Sequence, residues 1–172
     1  MRRRQARAAA LRALFAVDVG KNDAEKALRA AFAEERSDRA GMDFARDLVT
    51  GVLAHQQEID ARIAALSRDW ALSRLAAVDR NTLRLGVYEL VYRAGTAPVG
   101  VVINEAVELV KAYSTPESGR FVNGLLGSLA RQLDPSADVP ADVPADVGET
   151  DLSAEAVEGE PDTVQPEGGT QA

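Results

Sequence analysis

Five arginines stand near the start of the chain, ahead of any acidic residue. They are Arg2, Arg3, Arg4, Arg7 and Arg12, and the first acid is Asp18. The apolar spacing predicts a helix starting near Arg4, where the positive end of the helix dipole disfavours each cation by roughly 0.3–1 kcal/mol. No Ser, Thr, Asp or Asn precedes this helix as a cap, so an external anion explains the arginines better, and guanidinium groups pair bidentately with phosphates. The alternative is a solvated charged terminus, because short Arg and Lys runs are common.

A polar turn before the last predicted helix offers a second place for such a contact. Tyr113 and Phe121 flank the segment 114–120, and free amides at a helix start favour phosphate. An exposed ring there could stack on an unpaired base, which stabilises binding by roughly 1–3 kcal/mol. Phe121 also shares an apolar stripe with Leu125 and Leu129, which favours a place in the core. For Tyr113, packing in the core and stacking on a base both remain open.

Charged residues also interrupt an apolar helix predicted from about Ala77 to Arg93. They are Asp79, Arg80 and Arg84, and the two arginines are one helical turn apart. A set of this kind is usually a solvated face with ion pairs.

Residues suited to catalysis or to metal binding are scarce. His55 is the only histidine and cysteine is absent, so a zinc site would need an implausible set of carboxylates. Gly20-Lys21 lacks the preceding glycine and the following Ser or Thr of a phosphate-binding loop. No nucleophile and base are expected to come together. We therefore expect neither an enzyme nor a cofactor.

Positive and negative charges are separated along the chain. All 20 Lys and Arg residues lie at or before Arg131, against 17 acidic residues up to Asp134, which gives this part a net charge of +3. Residues 135–172 hold ten acids and no base, and they repeat the sequence Ala-Asp-Val-Pro. Such a composition buries too little apolar area to offset its ordering entropy. We predict a disordered acidic tail over 135–172, which either serves solubility or competes with RNA for the basic face.

The elements that must position these residues are predicted to be helices. Hydrophobic residues make up 46% of the chain and aromatic ones only 5%, so the core must consist of Ala, Leu, Val and Ile, which suits helix packing. No run alternates with period two. The prediction is an all-α domain over residues 1–134 with about six or seven helices. They are expected from near Arg4 to Val19, from Asp23, from Asp43 to Leu66 with a possible bend at Gly51, from Ala77 to Arg93, after Pro98, and from the cap Thr115-Pro116, with a loop over Ser37 to Met42.

No predicted segment is long enough to span a bilayer. Arg12 and Asp18 interrupt the apolar run near the N-terminus and no small-residue cleavage site follows, which argues against a secretory signal. The absence of cysteine fits a reducing compartment, so a cytoplasmic location is expected.

Three segments carry a resemblance to a known family. They are residues 79–90 (DRNTLRLGVYEL), 103–109 (INEAVEL) and 121–126 (FVNGLL), and Arg2-Arg3-Arg4 stands ahead of Ala13-Leu14-Phe15. In order and spacing they resemble the NusB family of transcription antitermination factors, over residues 2 to about 131. The resemblance implies a helical bundle that binds single-stranded boxA RNA together with NusE, the ribosomal small-subunit protein. It also implies work beside other Nus factors in the elongation complex, promoting transcription of ribosomal RNA operons.

The resemblance also assigns residues to these partners. It places the arginine-rich start and a set near the last helix on the RNA-binding edge: Arg2, Arg3, Arg4, Arg7, Phe15, Tyr113, Glu117, Ser118, Arg120 and Phe121. Phe15 stands where relatives often have Tyr. The neighbourhood of Asp79, Arg80 and Arg84 is expected to meet NusE. Two alternatives remain open, a homodimeric helical scaffold without significant RNA binding and an accessory domain related to ribosomal RNA methyltransferases.

Overall fold

Seven α-helices make up most of the chain that the computed structural model describes, which is residues 3–33, 38–67 and 71–140. They are α1 (Arg3–Asp18), α2 (Ala24–Ala33), α3 (Arg39–Ala54), α4 (Gln56–Leu66), α5 (Ala77–Tyr92), α6 (Val99–Tyr113) and α7 (Pro116–Leu133). One turn of 3-10 helix, Leu72–Arg74, precedes α5. These ranges contain no β-strand, so the predicted all-α class is confirmed.

Side-chain caps mark the predicted starts of two helices. Before α2, the amide of Lys26 donates to Asp23 Oδ1 at 3.0 Å, which confirms Asp23 as a cap. Before α7, the amide of Ser118 donates to Thr115 Oγ1 at 3.2 Å, and Pro116 occupies the first turn. The predicted Thr115-Pro116 start is therefore also confirmed.

The central helix of the bundle is α5. Every residue from Asn81 to Leu90 is buried, and α5 packs against α1, α3, α4, α6 and α7. The core consists mainly of Ala, Leu, Val and Ile, as the composition predicts, with Phe32, Tyr88 and Phe121 as its aromatic members. None of the helices described is both long enough and apolar enough to cross a membrane.

The start of α3 differs from the prediction. The helix begins at Arg39, because Asp38 caps it by accepting a hydrogen bond from the amide of Gly41 at 2.8 Å. The loop expected up to Met42 is therefore wrong from residue 39 onward. Residues 34–37 lie outside the described ranges.

A break at His55 separates α3 from α4, where one helix with a bend at Gly51 was predicted. His55 leaves helical geometry with φ −110° and ψ 15°, and its ring stacks on Tyr92 with centroids 4.0 Å apart. Gly51 instead permits a close approach, since a Cβ there would lie 2.0 Å from Cζ of Tyr88.

The chain after α7 remains in contact with the domain. Asp134 Oδ1 accepts hydrogen bonds from the amide and the hydroxyl of Ser136, at 2.9 and 2.7 Å, and Val139 packs against the core. Contacts with the domain thus continue past the predicted boundary at residue 134. The remainder of the predicted tail, 141–172, lies outside the described residues.

Candidate nucleic-acid interface

Two members of the arginine-rich start, Arg3 and Arg4, are exposed. The Arg4 side chain is 56% exposed, and its Nη2 lies 3.2 Å from Oε2 of Glu108 on α6. Arg3 donates from Nη1 to the carbonyl oxygen of Thr96 at 3.0 Å. Exposed pairs of this kind contribute only about 0–1 kcal/mol, so an incoming phosphate can replace them at small cost. Arg2 lies outside the described residues.

Arg7 differs from these two because it is buried. Its Nε and Nη2 donate to the two carboxylate oxygens of Glu89 at 2.8 and 2.6 Å, and its guanidinium lies over the ring of Phe44. Burial alone would lower the pKa of Arg7, but the hydrogen bond and charge of Glu89, with the charge of Glu105, raise it. Arg7 therefore connects α1 to α5. This corrects the expectation that it presents its charge to RNA.

Two aromatic side chains of the described ranges are exposed, one on α1 and one on α6. Phe15 on α1 is 40% exposed, and Tyr113 at the end of α6 is 47% exposed. Arg12 connects α1 to α6, since its Nη1 donates to Tyr113 Oη at 3.3 Å. It also connects α1 to α2, since its Nη2 donates to the carbonyl oxygen of Ala31 at 3.3 Å. We call the surface formed by Arg3, Arg4, Arg12, Phe15 and Tyr113 the α1–α6 edge. It combines cations with exposed rings.

The residues predicted at the start of α7 divide into exposed and buried pairs. Glu117 and Arg120 are exposed. Ser118 is buried and donates its hydroxyl proton to Asp79 Oδ2 at 2.6 Å, and Phe121 is only 4% exposed and belongs to the core. Ser118 and Phe121 therefore position α7 against the bundle, which corrects their assignment as RNA contacts, and the core placement of Phe121 is confirmed.

Arg80 on α5 is directed inward, toward the end of α1. Its Nη2 and Nε donate to Asp18 Oδ2 at 2.7 and 3.0 Å. Its Nη1 donates to the carbonyl oxygens of Leu72 and Leu75, at 3.3 and 3.0 Å. Arg80 thereby holds the 3-10 turn against α1 and α5.

Arg84 makes a similar connection to α4. It donates from Nε and Nη2 to the two oxygens of Asp60 at 2.8 Å each, and from Nη1 to Asn81 Oδ1 at 3.1 Å. Asp79 and Arg84 are buried and Arg80 is mostly so. We call Asp18, Asp60, Arg80, Asn81 and Arg84 the α5 network, while Asp79 bonds to Ser118 of α7 instead. The expectation that Asp79, Arg80 and Arg84 are an exposed partner surface is corrected accordingly.

Asp18 shares its charge with both arginines of this network. Burial alone would raise its pKa, but hydrogen bonds from Arg80 and Asn81 and the charges of Arg80 and Arg84 hold the pKa below its ordinary value of 3.8. Neither Asp18 nor Asp60 is predicted from the sequence to be a partner of these arginines. The sequence indicates such partners only indirectly. Several polar residues lie on α5, which is otherwise apolar, and buried polar residues need hydrogen-bonding partners elsewhere in the fold.

Comparisons with known proteins agree with this geometry. The family model of NusB matches residues 4–131. The chain belongs to the NusB family. It is 47% identical over 139 residues to the transcription antitermination protein NusB of Desulforamulus reducens, a match covering 81% of this chain and 96% of that relative. To the NusB of a Nocardioides species it is 49% identical over 129 residues, covering 75% and 93%.

Solved structures of NusB proteins have the same fold. NusB of T. maritima superposes with a TM-score of 0.72 at 37% identity, covering 77% of this chain and 92% of that one. A chain from the structure of the antitermination factors NusB and NusE in complex with double-stranded RNA gives a TM-score of 0.70 at 31% identity, covering 76% and 96%. The family match ends before the acidic tail begins.

Proposed function

We propose that this NusB-family protein binds single-stranded RNA of the boxA type together with NusE, and that it promotes transcription of ribosomal RNA operons beside other Nus factors. The observation that carries the proposal is the α1–α6 edge. Arg3, Arg4 and Arg12 supply cations for phosphates, while Phe15 and Tyr113 supply rings on which bases can stack. Stacking requires unpaired bases, which favours single-stranded over duplex RNA.

The buried candidates support this surface from behind. Arg7 fixes α1 to α5 through Glu89, and Ser118 fixes the start of α7 through Asp79. Arg120 and Glu117 stay exposed at that start, so we propose that Arg120 extends the cationic surface and that Glu117 limits which RNA it accepts.

NusE is proposed as the partner because the helical part of the chain has a net charge of only +3, which is small for strong unaided binding to RNA. A structural neighbour in which a NusB is complexed with NusE and RNA supports this partner. The α5 network would serve the partner indirectly. Arg80 holds the carbonyl groups on either side of Ser73 and Arg74, which are exposed, so we propose that NusE docks on this turn.

One titration tests the RNA proposal. A boxA RNA and a scrambled RNA of equal length are titrated with the protein, with and without NusE, by calorimetry or fluorescence anisotropy. We expect the protein to bind boxA RNA more tightly than the scrambled RNA. NusE should strengthen RNA binding by about 1–3 kcal/mol, and RNA should strengthen NusE binding by the same amount. Equal affinity for the two RNAs in the presence of NusE would contradict the proposal.

A charge reversal tests the NusE surface. Arg74→Glu should weaken NusE binding without unfolding the protein, because Arg74 is exposed. Arg62→Glu on α4, also exposed, is the matched control and should leave NusE affinity unchanged. Equal effects of both variants would place NusE elsewhere.

A further inference from the structure

The chain leaving α7 turns back along α6 before the described part ends. The amide of Ala137 donates to the carbonyl oxygen of Asp134 at 3.0 Å, which closes a turn. A Cβ at Gly100, in the first turn of α6, would lie 3.5 Å from the carbonyl oxygen of Asp138. Val139 packs against the core, and Pro140 lies at one side of a groove between α6 and α7. The first Ala-Asp-Val-Pro copy, residues 137–140, is thus seated on the domain.

The groove beyond Pro140 combines apolar residues, among them Val107 and Pro116, with polar and cationic ones. Asn104 and Lys111 line it from α6, and Gly119, Arg120 and Asn123 line it from α7. Lys111 lies across Gly119, where a Cβ would be 3.2 Å from Cγ of Lys111. The only ion pair of Lys111 within the described ranges is the exposed one to Glu108 at 3.7 Å, and Arg120 has none there. One lysine charge and one arginine charge can therefore meet an acidic ligand in this groove.

The sequence that follows Pro140 repeats the seated copy. Residues 141–144 are again Ala-Asp-Val-Pro, and residues 145–147 are Ala-Asp-Val. An α-helix rises 1.5 Å per residue, so Gly100 and Lys111 are about 16 Å apart along α6. An extended chain rises about 3.1 Å per residue, so the seven residues 141–147 span about 22 Å. Asp146, six residues past Pro140, can therefore reach the level of Lys111 and Arg120, whereas Asp142, two residues past Pro140, lies only about 6 Å along the groove.

From these observations we propose that residues 141–147 occupy the α6–α7 groove, with Asp146 paired to Lys111 and Arg120 and with Asp142 nearer to Pro140 in the same groove. The occupant has the same sequence as the copy already seated, its charge is opposite to that of the groove, and the seated copy ends at the groove. The tail thus acts as a tethered ligand of the domain, with an effective concentration in the millimolar range.

A functional consequence rests on the proposed RNA binding. Because Arg120 belongs to both the groove and the proposed RNA surface, the docked repeat competes with RNA for this arginine. The competition is intramolecular and electrostatic, so it weakens as salt increases.

Docking is tested without RNA by paramagnetic relaxation. Since the chain has no cysteine, Ala145→Cys accepts a nitroxide at a single position of the full chain. We expect the amide signals of Lys111, Gly119 and Arg120 to lose most of their intensity, whereas Gln57 on α4 keeps its own. Adding Asp142→Asn and Asp146→Asn should restore the signals. Asp162→Asn with Glu167→Gln removes the same charge outside the repeat and should leave the broadening in place.

The proposal is overturned if Gln57 broadens as much as Arg120, or if the two pairs of substitutions have equal effects. RNA affinity is measured on the same variants at about 0.05 M salt, where the Debye length exceeds 10 Å. Neutralising Asp142 and Asp146 should raise affinity for boxA RNA by about 3- to 10-fold, more than the control pair does. Specific broadening in a protein that binds no RNA would refute the proposed function alone. RNA binding without the broadening would refute the docking alone.

Discussion

Arg4 and Arg7 stand one turn apart on α1, yet the Arg4 side chain is 56% exposed and that of Arg7 only 4%. Arg4 meets Glu108 at the surface, whereas Arg7 is held by both oxygens of Glu89 in the interior. The same residue type on one helix therefore serves two purposes. An exposed arginine can exchange its partner for a ligand, while a buried one cannot leave its carboxylate without exposing the core to an unpaired charge.

The same contrast between exposed and buried charges separates the α1–α6 edge from the α5 network. The α1–α6 edge carries charges and rings on the surface, and the α5 network holds its charges between helices. Substitutions at the edge should change RNA affinity and leave stability nearly constant. Substitutions in the interior should do the opposite.

The largest expected effect is that of Arg7→Ala. Removing the guanidinium leaves the Glu89 carboxylate buried and uncompensated, so the free energy of unfolding should fall by about 3–5 kcal/mol. Urea denaturation followed by circular dichroism measures this loss. The double variant Arg7→Met with Glu89→Leu removes both charges and should recover most of the stability. A loss below about 1 kcal/mol in Arg7→Ala would show that Arg7 belongs with the exposed group.

Asp18→Asn tests the α5 network through pH. The folded-state pKa of Asp18 is lower than 3.8, so the carboxylate stabilises the fold fully above that value and loses this contribution as pH falls through the folded pKa. At pH 7 we expect the free energy of unfolding of wild type to exceed that of Asp18→Asn by about 1–3 kcal/mol. The difference should shrink as pH falls below 3.8. Urea titrations between pH 7 and pH 3 measure it.

The exposed Asp43 supplies the control for this pH experiment. Within the described ranges, Asp43 pairs at the surface, with Arg39 at 4.0 Å and Arg46 at 3.8 Å. Asp43→Asn should therefore follow wild type closely over the whole pH range. A constant gap between wild type and Asp18→Asn down to pH 3 would contradict the role given to Asp18.

Local signals in the sequence identified much of the fold. Asp23 and Thr115-Pro116 mark helix starts by chemistry within four residues, and the stripe of Phe121, Leu125 and Leu129 identifies the buried face of α7. These features depend on neighbours in sequence. They could be predicted because a helix brings residues three and four apart onto one face.

Partners distant in sequence could not be predicted in this way. Glu89 is 82 residues from Arg7, and Asp60 is 24 residues from Arg84. A basic residue in an apolar helix signals that a partner exists, but the packing of other helices determines which carboxylate it is. For this reason Arg7, Arg80 and Arg84 were assigned to ligands, although the fold itself satisfies them.

Aromatic substitutions on the α1–α6 edge test its RNA role. Tyr113→Ala and Phe15→Ala should each reduce RNA affinity by about 1–3 kcal/mol, because each removes a stacking surface. Stability should change little, since both rings are largely exposed. Val101→Ala is the matched control, because Val101 is 46% exposed on α6 and is not part of the edge. Fluorescence anisotropy with boxA RNA compares the three variants, and equal affinities would remove the rings from the interface.

The smallest change in stability is expected for Arg3→Ala with Arg4→Ala, within about 0.5 kcal/mol of wild type, because surface substitutions rarely cost more. Their effect should lie in the salt dependence of RNA binding. For every phosphate of a single strand that the variant no longer neutralises, the slope of log affinity against log salt should fall by roughly 0.7. Arg29→Ala with Arg62→Ala removes the same charge from exposed positions on α2 and α4. If only the first pair makes the slope shallower, Arg3 and Arg4 contact phosphate. If both pairs do so equally, the overall charge of the domain governs binding, and the distinction between Arg4 and Arg7 would concern stability alone.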